Sequence, residues 1–342
     1  MTPKPQRSSS IAGIIIKQRH SRWEKLLLGL DITKVPRSLI WNGVTPLSHQ
    51  RWLVDAFALQ QKLWVVGGYN EDGSLADIEV LDPATGTWST SPYPFTYFGQ
   101  AFVTASSGEL YAVGGLESCQ SLVTAVEKYV ASTGVITQKA PMPVAAYKPG
   151  IASTSTGRIY VMGGCQPPSA SPGGPPSNIL NAVQVYNTQT DTWSTGPSMS
   201  IPRYQFPAVT APDGRIYAFG GTDGNQELQR VDVFDPKSNS WQQAAPMPTA
   251  RRCLAATLAP NNKIYVVGGL AGDAGLATVE IYDLANNTWT TGPPLSEGRW
   301  YLGAAAVGST IYACGGLERV GPYQAGNANV SALASVEATV IY

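Results

Sequence analysis

Histidine is almost missing from this chain, and with it most signs of bond-making chemistry. Only His20 and His49 occur, and the four cysteines, Cys119, Cys165, Cys253 and Cys314, show no C-x-x-C spacing. Neither a zinc site nor a disulfide framework is indicated, and no cofactor is expected. No glycine-rich phosphate loop opens a helix, and there is no nucleophile elbow. Charge is also scarce, at 13% of 342 residues, with 23 basic against 23 acidic side chains. Residues 1–37 hold eight of the basic and two of the acidic ones, which leaves 15 against 21 and a formal charge of −6 on the remainder. A body with that balance is not a nucleic-acid surface. The apolar stretch within Ser8 to Ile16 stops at Lys17 and is too short to span a membrane.

Glycine and proline, by contrast, make up 61 of the 342 residues, and the glycines fall on a period. Six short apolar segments end in Gly-Gly: Leu63 to Gly68, Leu110 to Gly115, Ile159 to Gly164, Ile216 to Gly221, Ile264 to Gly269 and Ile311 to Gly316. Their first glycines stand 47, 49, 57, 48 and 47 residues apart. A period near fifty is the mark of a propeller-type array, in which one unit is a small sheet unable to bury its faces alone. After each pair comes an alternating segment such as Val231-Asp232-Val233-Phe234-Asp235, whose period of two argues for strand. In four units a polar turn then leads to Thr-Trp or Ser-Trp, at Trp88, Trp193, Trp241 and Trp289. The second unit has Val135-Ile136 there instead, and is expected to be the least well packed. A Pro-containing connection and a small-residue strand such as Leu302 to Val307 complete the unit.

This order of strands resembles the kelch repeat over roughly residues 39 to 342. The resemblance implies an all-β, six-bladed propeller. The sixth unit ends at Tyr342 without its Trp strand, while Trp41 lies 47 residues before Trp88, on the same period. The segment Leu39 to Gly43 is therefore expected to supply the outer strand of the last blade, closing the ring and leaving no open sheet edge. Residues 1–38 fall outside the repeat. They read as a basic, partly disordered extension with a short helix after the capping box Ser21-Arg22-Trp23-Glu24. Such a basic, acid-poor start leaves organelle import open, whereas the unpaired cysteines suit a cytoplasmic setting.

Function is expected where the units differ. In a four-stranded blade, the connection after the Gly-Gly strand and the connection between blades emerge on one face, and varied loops on a rigid scaffold are where recognition occurs. The first set includes Tyr69 to Ala76, Leu116 to Leu122, Gln166 to Ser177, Thr222 to Leu228, Leu270 to Leu276 and Leu317 to Leu333. The second set carries Arg51, Arg203, Arg251 and Arg299 at equivalent places, with Tyr97 and Ala146 in the other two units. The following positions are Trp52, Phe98, Tyr147, Tyr204, Arg252 and Trp300. Arg and aromatic side chains are favoured anchors of interfaces. Arg51, Tyr97, Arg203, Tyr204, Arg251, Arg252, Arg299 and Trp300 are accordingly the candidate binding residues, although an Arg here is also common in the kelch pattern itself, and a structural role stands beside the contact role.

Two functions remain open. The first is a monomeric protein-interaction module, its Arg ring suited to an acidic peptide or partner surface. It would bind neither nucleic acid nor membrane, and the length leaves no room for an added BTB or F-box domain of usual size. The second is a sugar-processing enzyme, a lyase or epimerase on an acidic sugar, with an Arg clamp and a base among Glu71, Asp72, Glu117, Asp223, Glu227 or Glu318. Kelch-like propellers also include copper radical oxidases, but with His20 outside the ring a galactose-oxidase-like site is not expected.

Overall fold

The computed structural model describes residues 39–75, 77–118, 121–166, 176, 178–319 and 330–341. The expectations for Ser8 to Ile16, for a helix after Ser21 and for Cys119 lie outside them. Six antiparallel four-stranded sheets follow one another along the chain as blades. Blade 1 is typical. Its inner strand Asp55–Leu59 pairs with Lys62–Val66, which pairs with Asp77–Asp82, which pairs with the outer strand Thr87–Pro92. Neighbouring inner strands touch all the way round, and the last of them, Gly303–Val307, packs on the first, Asp55–Leu59.

The last blade takes its outer strand from the beginning of the repeat region. Asn42–Val44 pairs antiparallel with Val336–Val340, in the register Asn42 to Ala338. The ladder begins after Trp41, a little later than the sequence suggests, because Trp41 is itself buried against Leu295 and Ala304. Its indole donates to the Pro293 carbonyl at 3.1 Å. The four periodic tryptophans repeat the contact, with Trp88 donating to Thr45, Trp193 to Ala140, Trp241 to Pro197 and Trp289 to Ala245, at 2.8 to 2.9 Å. Each acceptor belongs to the chain leaving the preceding blade's outer strand, so each of these five indoles staples two blades. Blade 2 lacks the indole, yet this blade, expected to be the least well packed, holds a cluster of rings. Phe95 lies 5.1 Å from Phe102 and 5.7 Å from Tyr129, in the edge-to-face geometry that aromatic pairs favour.

Both glycines of every pair adopt positive φ. At Gly220, φ is 59°, and an added Cβ would stand 2.7 Å from the Arg251 carbonyl oxygen. Only glycine allows the two blades to approach so closely there. The alternating strands are strands, but their alternation does not mark a wet face. Glu79, Glu127, Gln184, Asp232, Glu280 and Glu337 sit at equivalent places, and each is buried.

Candidate functional site

The four repeated arginines meet these acidic residues inside the blades. Arg51 pairs with Glu79 and Asp77, Arg203 with Asp232, Arg251 with Glu280 at 2.7 Å, and Arg299 with Glu337 at 2.7 Å and Glu297 at 2.8 Å. Each guanidinium also donates to the first glycine carbonyl of its own blade, at Gly67, Gly220, Gly268 and Gly315. The arginine's own carbonyl accepts from the second glycine of the preceding blade, as in Gly164 to Arg203, Gly221 to Arg251, Gly269 to Arg299 and, across the closure, Gly316 to Arg51. One residue thus ties two blades through both its backbone and its fork. All four side chains are 0% exposed. Where the arginine is absent the acid changes with it in one blade: Ala146 accompanies Gln184, a neutral amide that exchanges two hydrogen bonds with the Val144 backbone. In the other, Tyr97 accompanies Glu127, which accepts instead from Thr96, Gln100 and Gln138.

The remaining candidates are nearer the surface. Tyr97, Tyr204 and Arg252 are half-buried, and Trp300 is buried over Gly275. Backbone bridges tie Trp52 to Tyr69, Phe98 to Leu116, Tyr147 to Cys165, Tyr204 to Thr222, Arg252 to Leu270 and Trp300 to Leu317. Both sets of connections therefore share one face, as expected. Arg252 is not free there, because it pairs with Glu227. The structure does not gather the eight candidates into one patch: four arginines lie within blades, and the other four residues are spread over separate blades around the face.

Sequence reasoning missed what lies at the centre of the ring. A cavity of about 430 Å3 runs between the inner strands, and small residues such as Ala56, Gly99, Ala101, Ala208 and Ala305 leave it open. At its mouth stand Leu53, Gly99, Lys148, Gln205, Cys253 and Tyr301, one from each blade, all with φ between 52° and 59°. Leu53 donates to the Tyr301 carbonyl, Tyr301 to Cys253, Cys253 to Gln205 and Gln205 to Lys148, so the kinked positions hold adjacent blades together. Their side chains differ in every blade. That variation, two residues beyond the repeated arginine, was the available signal. Asp55 and Lys148 both line this cavity. Burial pushes the Asp55 carboxyl up to about 6, against the opposing pull of Lys148 and the Phe102 backbone N–H. Burial likewise lowers the Lys148 ammonium, with Asp55 opposing, and pushes the Cys253 thiol up to about 12.

Six closed blades, each with a paired-glycine strand, four with a buried Arg and acid couple and five with an indole staple, define a β-propeller. Residues 99–316 match the family model described as the KLHDC2/KLHL20/DRC7 Kelch-repeats domain, and residues 56–94 match the Kelch motif. The chain belongs to the kelch-repeat family. Mouse kelch-like protein 35 is 34% identical over 189 residues, 55% of this chain and 30% of that protein. The zebrafish kelch repeat and BTB domain-containing protein 12 is 30% identical over 145 residues, 40% and 22% respectively. Alpha-scruin of Limulus polyphemus is 26% identical over 194 residues, 55% and 21%. The matched stretches span a third or less of these relatives' own lengths.

Proposed function

We propose that this propeller is a protein-interaction module whose loop-bearing face receives a basic, partly apolar segment of a partner. The observation that carries this reading is the charge left on that face once the repeated arginines are buried. The six connections after the Gly-Gly strands contain Glu71, Asp72, Glu117, Asp223, Glu227, Asp273 and Glu318 against Arg319, and the connections between blades add Arg252, paired with Glu227, and Lys148, so the face keeps an acidic excess. An acidic peptide would have needed the arginine ring, whose guanidiniums are enclosed by their own carboxylates. A cationic segment is steered towards an acidic rim, and Trp52, Tyr69 and Tyr204 offer it ring faces. Trp52 and Tyr69 stand 5.5 Å apart by their centroids. Interaction through a propeller face also agrees with the likeness to kelch-like proteins.

The test is a peptide array probed with the full chain, comparing basic-aromatic, neutral and acidic sequences. Capture of the basic set, weakened by salt and by Glu71→Lys/Asp72→Lys/Asp273→Lys, is expected. Equal capture of the acidic set would overturn the reading. The sugar-processing alternative gains one feature, a raised carboxylate at Asp55 lining the central cavity. The cation beside it is Lys148 rather than an arginine clamp.

A further inference from the structure

The mouth of the central cavity holds two opposite charges that do not meet. Asp55 and Lys148 both line it, and among the described residues neither forms an ion pair with the other or with any third group. The carboxylate comes from the inner strand of blade 1, and the ammonium from the kinked connection entering blade 3. Lys148 has instead the ring of Tyr147, 5.5 Å from its ammonium. Two ions out of direct contact in a partly desolvated cavity are costly, because burial weakens their hydration by more than their mutual attraction returns. A ligand carrying the complementary pair of charges would remove both costs at once.

We propose that the mouth of this cavity binds a small zwitterion of the α-amino acid class, its ammonium on Asp55 and its carboxylate on Lys148. The space suits such a molecule, since the cavity measures about 430 Å3 and glycine and alanine line the wall between the two groups at Gly99 and Ala101. The surrounding groups add selectivity. Tyr301 and Gln205 both line the cavity, and the Gln205 amide is hydrogen-bonded to the Tyr301 hydroxyl. Aromatic faces beside a ligand ammonium are attractive, and an amide and a hydroxyl can orient a carboxylate. The Asp55 carboxyl is held out of its ordinary range and the Lys148 ammonium is lowered, which is how two charged groups behave when burial outweighs their mutual attraction.

The experiment is calorimetric titration of the full chain with each of the twenty amino acids, beside the N-acetyl and carboxamide derivatives of any that bind. Saturable binding of at least one amino acid is expected, with loss of about tenfold or more in affinity when either terminal charge is removed from the ligand. Asp55→Asn and Lys148→Met should each weaken binding about as much. Binding of none of the twenty would overturn the proposal, and so would N-acetyl and amide forms that bind as well as the parent. A second measurement on the unsubstituted chain covers a variant that does not fold. Acetylation of Lys148 by an N-hydroxysuccinimide ester, mapped by mass spectrometry, should slow relative to that of Lys62 and Lys237 when the amino acid is present, a ratio that cancels the ester consumed by the ligand's own amine; an unchanged ratio would count against the site.

Discussion

Removing Arg251 tests the claim that the repeated arginines are internal struts. The guanidinium is enclosed, pairs with Glu280 at 2.7 Å and donates to the Gly268 and Thr278 carbonyls at 2.9 and 3.2 Å. Arg251→Ala would leave Glu280, which is 2% exposed, with the Thr249 hydroxyl as its remaining side-chain donor. Breaking a buried ion pair from one side costs about 3 to 5 kcal/mol, because a charge stays behind without a partner. The protein already contains the repaired arrangement, in which Ala146 is matched by the neutral Gln184. Arg251→Ala/Glu280→Gln should therefore recover about 2 kcal/mol relative to the single variant, although it still lacks the donors to the two carbonyls. Urea unfolding of the wild type, both single variants and the double variant gives the coupling directly. A single variant within about 0.5 kcal/mol of wild type, or a double variant no more stable than Arg251→Ala, would refute the strut.

Two further outcomes follow from the closure and from the central cavity. Trp41→Ala removes an indole that is 9% exposed and its bond to Pro293, and should cost about 3 to 5 kcal/mol in the same unfolding assay; a loss below about 1 kcal/mol would mean that the closing strand contributes little. Asp55 titrates at about 6 in the folded chain, against roughly 3.9 when unfolded. Between those values the folded state keeps a proton that the unfolded state has lost, so this group's contribution to stability falls as pH rises through the window and stays at its lowest above it. Asp55→Asn cannot ionise, and should be about 1 to 3 kcal/mol more stable than wild type at pH 7.5, with the gap closing by pH 4. A variant that is less stable at pH 7.5 would reverse the assigned direction.

The repeat itself determined most of this architecture. Glycine is the residue that tolerates positive φ beside a neighbouring carbonyl, so six Gly-Gly pairs in register specify six close approaches whatever surrounds them, Gly220 against Arg251 among them. The period also placed Trp41 in the last blade, because a closed array needs every unit completed, and Asn42–Val44 does complete it. Local pattern could not say which way a side chain's charge was spent. The arginines stand in a polar connection and the acids in an alternating strand, and both patterns are as compatible with solvent as with burial. Only the fold brought Arg299 within 2.7 Å of Glu337, 38 residues away, and so enclosed four of the candidate contact residues. The same is true of the central cavity. Asp55 and Lys148 lie in different blades, and nothing short of ring closure sets them at one mouth. Sequence fixes what each unit must look like; the charges left exposed and the groups that face each other across the ring depend on how the units close, because those distances belong to no single repeat.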